Sequence, residues 1–507
     1  MLRLADVTYT YPHATEPAVR GLSLRVRPGE AVLCTGPSGC GKSTLVRLAN
    51  GLCPHYYRGR LEGAVTVDGR RTAETPLHEL AHLAGTLFQD PENQFFALTV
   101  GDEIAFAHEW RGSEPARTLA AVQEAARRFG IGHLLDQSIH DLSEGQKQKV
   151  ALASILSLGP RAVVLDEPTA NLDPEATLAL AGEIRALKAA GMAVLVVDHR
   201  LYWLEGVVDR VVVMAEGRIV EEGDFSILHD DALRRARGLR AARVADPRTA
   251  LPEASGRGDA LCVADLRYAH KHGPELFHGA SFLLPRGVIG VLGDNGAGKT
   301  TLARLLTGLH RMHSGRLHLH GVPVRPDRLL RHGSIVLQNT DHQLHMKSVR
   351  EEIAASIAAG AAGAAGRAGN GTRPDFRPAT GQSGQTGQTG QTAPSTEDDL
   401  LRLFNLAHLA DRHPQSLSGG EKQRLVIACG MAKQPEVLIL DEPTSGLDGH
   451  NMRLVADAVR AAAARGAVVL LVSHDLELLS ITCDAALRLP LRCPRTTKEN
   501  PECSTIS

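Results

Sequence analysis

The sequence predicts an α/β protein made of two tandem copies of one unit, each with a mostly parallel sheet core, an antiparallel β portion and a helical subdomain. Three recurrences predict it. A glycine-rich octapeptide, Gly36 to Ser43, returns as Gly293 to Thr300. The run Val163-Val-Leu-Asp-Glu-Pro-Thr returns as Leu438-Ile-Leu-Asp-Glu-Pro-Thr, and Leu142-Ser-Glu-Gly-Gln returns as Leu417-Ser-Gly-Gly-Glu. A chain of 507 residues is too long for one hydrophobic core, so a repeat of a whole domain is the economical reading.

The copies are expected at 1–225 and 259–490, joined by a linker over 226–258 and followed by a polar tail over 491–507. Lys42 and Lys299 lie 257 positions apart but Asp166 and Asp441 lie 275 apart, so the second copy carries extra residues. Residues 358–394 supply them: an Ala/Gly-rich stretch, then Gly-Gln-Ser and three Gly-Gln-Thr triplets. That composition buries little apolar surface and predicts a disordered insertion. Arg234, Arg235, Arg237, Arg240 and Arg243 crowd the linker; a solvated linker helix is preferred there to a lipid-binding face. The hairpin pattern Val211 to Ile219 has no clear counterpart after Ala486.

In each copy an apolar strand (Ala31–Leu33, Val288–Leu292) enters the glycine-rich loop, and an apolar helix leaves it. That context makes a phosphate-binding P-loop, against the bland alternative of a chance glycine-rich turn. Gly36, Pro37, Ser38, Gly39, Cys40 and Gly41 offer backbone N–H groups in the first copy; Gly293, Asp294, Asn295, Gly296, Ala297 and Gly298 do so in the second. Lys42 and Lys299 supply positive charge for the β- and γ-phosphates. Ser43 and Thr300 supply a hydroxyl for Mg²⁺, and Thr44 and Thr301 complete the loops. Ala162–Leu165 and Val437–Leu440 are continuous apolar runs, the pattern of parallel strands buried on both faces. Each ends in Asp-Glu at the carboxyl edge, where ligands sit in open α/β sheets. Asp166 and Asp441 are expected to hold Mg²⁺, and Glu167 and Glu442 to orient or deprotonate the attacking water.

Through these motifs the chain resembles the ATP-binding-cassette (ABC) ATPases, a branch of the P-loop NTPases, over all but the insertion, linker and tail. The resemblance rests on the signature at 142–146 and 417–421, where Ser143 with Gln146 and Ser418 with Glu421 also have capping-box spacing. It implies that Ser143, Gly145 and Gln146, and likewise Ser418, Gly419, Gly420 and Glu421, face the γ-phosphate held by the opposite copy. The two halves would thus close as an intramolecular ATP sandwich. It further implies Q-loop glutamines at Gln89 and Gln338, which touch Mg²⁺, and switch histidines at His199 and His474. Asn171–Asp173 and Gly446–Asp448 match D-loops, and Tyr11 matches the adenine-stacking aromatic. The second copy offers His270 there. The signature of the first copy departs from the pattern at Glu144, a carboxylate placed where it would repel phosphate. Two competent sites are expected, not necessarily equal.

Phe88-Gln-Asp-Pro-Glu-Asn-Gln-Phe95 is similar to the Q-loop of energy-coupling-factor (ECF) transporter ATPases; Leu337–Gln343 is a looser version. This implies an ATPase at the cytoplasmic face of the cell membrane, energising import of a vitamin, a vitamin precursor or a transition-metal ion. Its partners would be an integral scaffold (T-type) subunit and a small substrate-binding membrane subunit. Phe95 and Phe96 would line the groove for the scaffold, with ordinary core packing an equally good account of them. Leu344 and His345 stand at those positions in the second copy. The competing readings are a tandem ABC ATPase acting on ribosomes or nucleic acid, and a fused sugar-importer ATPase. Net charge of −1 favours no nucleic-acid partner, and eight scattered cysteines fit a reducing compartment better than a disulfide framework or zinc site. No apolar run reaches the roughly 20 residues that span a bilayer. His310, His313, His318 and His320 are read as surface histidines rather than a metal site.

Overall fold

The computed structural model describes residues 1–255, 260–271, 273, 275–368 and 396–491. It divides into two compact units, Met1–Val244 with Ser445–His450, and Ala245–Thr444 with Asn451–Ser507.

In the first unit the strands Leu2–Thr10, Val19–Val26, Arg60–Val67 and Arg70–Arg71 form an antiparallel sheet. Inward positions along the first strand are Leu2 and Leu4, then Val7 and Tyr9. The switch from even to odd positions falls at Asp6, whose φ of 49° marks a bulge where both pairings shift register. Asp265, at φ 53°, does the same in the second unit, with Leu261 and Val263 inward before it and Leu266 after it. This equates Tyr9 with Tyr268 and Tyr11 with His270.

The core sheet of the first unit runs, in spatial order, Arg218–Gly223, Arg210–Ala215, Ala31–Thr35, Ala193–Val197, Ala162–Asp166 and Ala84–Leu87. Every neighbouring pair is parallel except the first. Ala31–Thr35 and Ala193–Val197 are buried at every residue, as helices on both faces require. The second unit repeats this with Gly333–Val336, Val437–Asp441, Val468–Val472, Gly287–Leu292 and Ala485–Arg488, all parallel. Its antiparallel sheet comprises Leu261–Ala269, Glu275–Leu284, Ser314–Leu319 and Val322–Val324. The helical subdomains are Val100–Trp110, Pro115–Phe129 and Glu144–Ser157 in the first unit, and Val349–Ala368, Glu397–Leu403 and Gly419–Ala432 in the second.

Two expectations need correcting. Residues 358–368 are not a disordered start to the insertion: they continue the helix Val349–Ala368. The helix packs closely, since a Cβ on Gly360 would meet Lys433 Cα at 2.8 Å. The rest of the insertion, 369–394, lies outside the described residues. The solvated linker helix expected over the arginines is short, Asp231–Ala236, and Arg237, Arg240 and Arg243 lie beyond it. Within the short helix Asp231–Ala236, Arg234 bonds Asp231, while Arg237 pairs with Glu221 and Arg243 with Glu205 at 3.2 and 2.8 Å; Arg240 is buried.

The end of the linker has a structural task in the second unit. Ala254 N–H donates to Ala486 O at 2.7 Å and Ala486 N–H to Pro252 O at 2.8 Å, so this segment covers the sheet edge that Arg218–Gly223 covers in the first unit. Arg488 fastens it, donating to Arg248 O and Leu251 O at 2.7 Å each and to Glu253 at 2.6 Å. Among the described cysteines, Cys34, Cys40, Cys53, Cys429 and Cys483 are free. No described helix is long and apolar enough to cross a membrane. Replacing Arg488 with Met removes three hydrogen bonds, so the full chain should lose about 1–3 kcal/mol of stability. A calorimetric scan should show this as a lower melting temperature.

Candidate functional site

Each glycine-rich loop joins a buried strand to a helix, Lys42–Ala49 or Lys299–Leu306, at a glycine in left-handed backbone: Gly41 at φ 107° and Gly298 at φ 94°. Only glycine takes that conformation without strain. At Gly36 the demand is one of space, because a Cβ would sit 2.2 Å from Met214 O. The two lysines are buried and held alike. Lys42 Nζ donates to Gly36 O and Pro37 O at 2.9 Å each, and Lys299 Nζ donates to Gly293 O and Asp294 O at 2.7 and 3.0 Å. Ser38 and Ser43 are exposed, whereas the Cys40 thiol is buried 3.8 Å from Lys42 Nζ. Burial raises the pKa of that thiol, an effect Lys42 opposes.

Asp166 and Asp441 end their strands beside the loops. Thr300 Oγ1 donates to Asp441 Oδ1 at 3.2 Å, and Asp441 Oδ2 is buried without a hydrogen-bond partner. An orphaned carboxylate oxygen next to a threonine hydroxyl suits a hard cation such as Mg²⁺. Burial raises the pKa of Asp441, and pushes that of Asp166 up to about 6 against the pull of Lys42.

The residue after each aspartate is strained. Glu167 and Glu442 adopt φ of 45° and 48°, a region few non-glycine residues enter, and donate their N–H to Val197 O and Val472 O at 2.7 and 2.9 Å. Glu167 Oε2 accepts from Gln89 Nε2 at 3.0 Å, and His199 Nε2 lies 3.5 Å from Oε1. Burial first, then the Asp166 charge, pushes Glu167 up to about 8; burial and Lys42 hold the His199 pKa well below its usual value, keeping the imidazole neutral. In the second unit Glu442 accepts from Ser473 Oγ and His474 N–H, at 3.2 and 2.9 Å, and the first unit has no serine at the position of Ser473.

That difference traces to a swap the sequence reading missed. The threonine of each Asp-Glu-Pro-Thr run donates to a carboxylate beside the switch histidine: Thr169 to Asp198 at 2.8 Å, Thr444 to Asp475 at 2.7 Å. The acid precedes His199 in the first unit and follows His474 in the second. The first unit therefore has no serine to hold its glutamate, and Arg200, bonded to Thr169 O at 2.8 Å, takes the following position. Comparing Asp198-His-Arg with Ser473-His-Asp would have exposed this.

The signature helices start as the spacing predicts. Ser143 N–H donates to Gln146 Oε1 at 2.9 Å, and Ser418 N–H to Glu421 Oε2 at 2.8 Å. Gly145, Gly419 and Gly420 lie in the first turns of these helices. The Q-loops follow the edge strands, and a second glutamine, five residues on, closes each: Gln94 Oε1 accepts from Phe88 N–H at 3.2 Å, Gln343 Oε1 from Leu337 N–H at 3.4 Å. Gln338 lies within the loop so closed, as Gln89 does in the first unit. Sequence reasoning also missed Glu103 and Glu352, buried acids that each accept two N–H groups of the Q-loop exit: Phe96 and Ala97, and His345 and Met346, all at 2.8–2.9 Å. Phe95 packs on the core, but Phe96 is 75 % exposed and stacks on Phe106 with centroids 5.1 Å apart. In the second unit Leu344 is buried and His345 exposed.

The two aromatic stations differ in kind. Tyr11 stands edge-on to Tyr9 and Tyr57, at 5.1 and 6.2 Å, and its hydroxyl accepts from Arg47 at 2.8 Å and lies 3.2 Å from Thr44 Oγ1. His270 stands edge-on to Tyr268 at 5.1 Å, with His310 and His313 against the same ring at 6.1 and 5.6 Å. His320 pairs with Glu436 at 3.2 Å, and no cluster of three or more His, Cys, Asp or Glu among the described residues is arranged to hold a metal.

The family model described as ABC transporter matches residues 19–170 and 277–445, so it falls once on each unit. The chain belongs to the ABC transporter family. A Treponema denticola protein that carries the name of an ABC transporter ATP-binding protein is 33 % identical over 498 residues, covering 96 % of this chain and 95 % of its own. One from Methanosarcina acetivorans, with the same name, is 31 % identical, covering 94 % and 82 %. Among solved structures, the ribosome-bound archaeal Pelota and ABCE1 assembly contains a chain that aligns over 95 % of this one and 76 % of its own, with TM-score 0.63; at 20 % identity this shares the fold alone. The protein is thus an ABC ATPase with tandem nucleotide-binding domains, and ATP is the nucleotide its family binds.

As the base of the first site, Glu167 would have to lose its proton, and replacing Glu442 by Gln would isolate its contribution to turnover. The kcat/KM of Glu442→Gln should rise with pH and level above about 8. A flat profile from pH 6 to 9 removes Glu167 from that role. Cys40, buried and protonated, should react with a maleimide far more slowly than an exposed thiol, and its full modification should abolish nucleotide binding at the first P-loop. Mass spectrometry with a fluorescent ATP analogue reads both.

Proposed function

We propose that this ABC ATPase hydrolyses ATP·Mg²⁺ at two composite sites and so energises an ECF-type importer for a vitamin, a vitamin precursor or a transition-metal ion. One site joins Lys42, Asp166, Glu167 and His199 to the Ser418 signature; the other joins Lys299, Asp441, Glu442 and His474 to the Ser143 signature. Ser43 and Thr300, with the aspartates and Gln89 and Gln338, would hold Mg²⁺, which supplies charge for the phosphates. Glu167 and Glu442 would take a proton from the attacking water, and each switch histidine would hydrogen-bond the γ-phosphate. Tyr11 and His270 would carry the adenine.

The observation that carries the coupling is the reach of the first Q-loop. Gln89 bonds the catalytic glutamate at 3.0 Å, and seven residues later Phe96 stands exposed against Phe106. A membrane scaffold pressing on that aromatic pair would move the glutamine that holds Glu167. The resemblance of Phe88–Phe95 to the ECF Q-loop supports an ECF partner, with the chain peripheral at the cytoplasmic face of the membrane.

The test is purification of the chain from its own cells under mild detergent. An integral scaffold subunit and a small integral substrate-binding subunit should come with it; recovery with ribosomes instead would overturn the importer reading in favour of a translation role. Replacing both Glu167 and Glu442 by Gln should keep ATP binding and lower turnover by about 10²–10⁴-fold, the usual worth of a general base.

A further inference from the structure

Lys147 lies in the first turns of the signature helix Glu144–Ser157 and is buried despite its charge. A buried ammonium is costly unless paired. Its Nζ donates to Glu144 Oε1 at 3.0 Å and also to Oε1 of Glu92, the acid of the Q-loop turn Pro91–Gln94. The lysine side chain is 8 % exposed, against 36 % for Glu144 and 53 % for Glu92, so two half-solvated carboxylates close over one buried cation. Glu144 and Gln89 line one crevice, together with Pro91, Gln148 and Pro168. The neighbouring Gln148 donates to Pro168 O, one residue beyond the catalytic glutamate.

The second unit has the same lysine with one acid fewer. Lys422 Nζ bonds Asp341 Oδ1 of its Q-loop turn at 2.7 Å and the neutral Gln415 Oε1 at 3.3 Å, and residue 419 is glycine. The departure at Glu144 is therefore accompanied by a second use of a cation that both units place against the Q-loop. A free carboxylate in the first turn would suit the helix N-terminus but oppose an incoming phosphate. Drawn onto Lys147, it keeps the first advantage and loses much of the second.

We infer that Lys147 is a positioning residue that neutralises Glu144 and, through Glu92, ties the signature helix to the Q-loop turn, making an acidic signature compatible with ATP. This rests on the composite-site reading above and needs neither the cargo nor a membrane partner. The full chain carrying Glu167→Gln, in which turnover reports the site completed by the Ser143 signature, is the background for the test. Lys147→Met should raise KM for ATP about threefold to tenfold, the scale of one partly desolvated ion pair, while Lys147→Arg stays within about twofold. Adding Glu144→Gln to Lys147→Met should bring KM back to within about twofold of the background. Melting temperatures of all variants confirm that the fold is kept. An unchanged KM in Lys147→Met, or a KM still raised in the double variant, overturns the inference. Ser143→Ala in the same background tests the composite reading separately: unchanged kcat and KM there would sink that reading instead.

Discussion

Two neighbouring carboxylates are held at the end of a buried strand, beside a buried lysine that donates to the carbonyls of its own glycine-rich loop. Most of each unit follows from that burden. A parallel sheet brings the strand end, the glycine-rich loop and the switch histidine to one edge. Burial there opposes ionisation, lifting Asp166 towards 6 and Glu167 towards 8. The strained φ at Glu167 and Glu442 turns each glutamate out of the strand line and leaves it to be fixed by neighbours.

Those neighbours differ between the units. In the first, the glutamate is bonded by the Q-loop glutamine, so its position depends on a segment that runs to the surface at Phe96. In the second, Ser473 and the His474 backbone hold it, both contributed by the segment after the strand Val468–Val472. The Glu167 carboxylate is thus bonded from the Q-loop, and the Glu442 carboxylate from the segment that follows the neighbouring strand. The aromatic stations follow the same division, phenols with an arginine in one and imidazoles around a tyrosine in the other.

A repeated lysine in the signature helix reaches the Q-loop turn of its own unit in both cases. Signature and Q-loop are consequently not independent parts. The buried acids Glu103 and Glu352 pin the exit of the same loop from the other side.

The sequence by itself determined the repeat, the class of sheet, the phosphate loops and the start of the signature helices. Those features are local: glycines at left-handed positions, apolar runs at strand length and serine three residues before glutamine or glutamate leave little choice of backbone. It also made Asp166, Glu167 and their twins legible, because strand ends are marked by the change from apolar to acidic. What only the tertiary structure decided was which partners those groups take. The carboxylate that bonds Thr169 or Thr444 sits on opposite sides of the switch histidine, the fate of Glu144 depends on Lys147 and on a Q-loop acid 52 positions away, and the edge of the second sheet is covered by Pro252–Ala254 from the far end of the chain segment. Such pairings depend on which elements meet in space, and a hydrogen bond between distant segments leaves no periodicity to read.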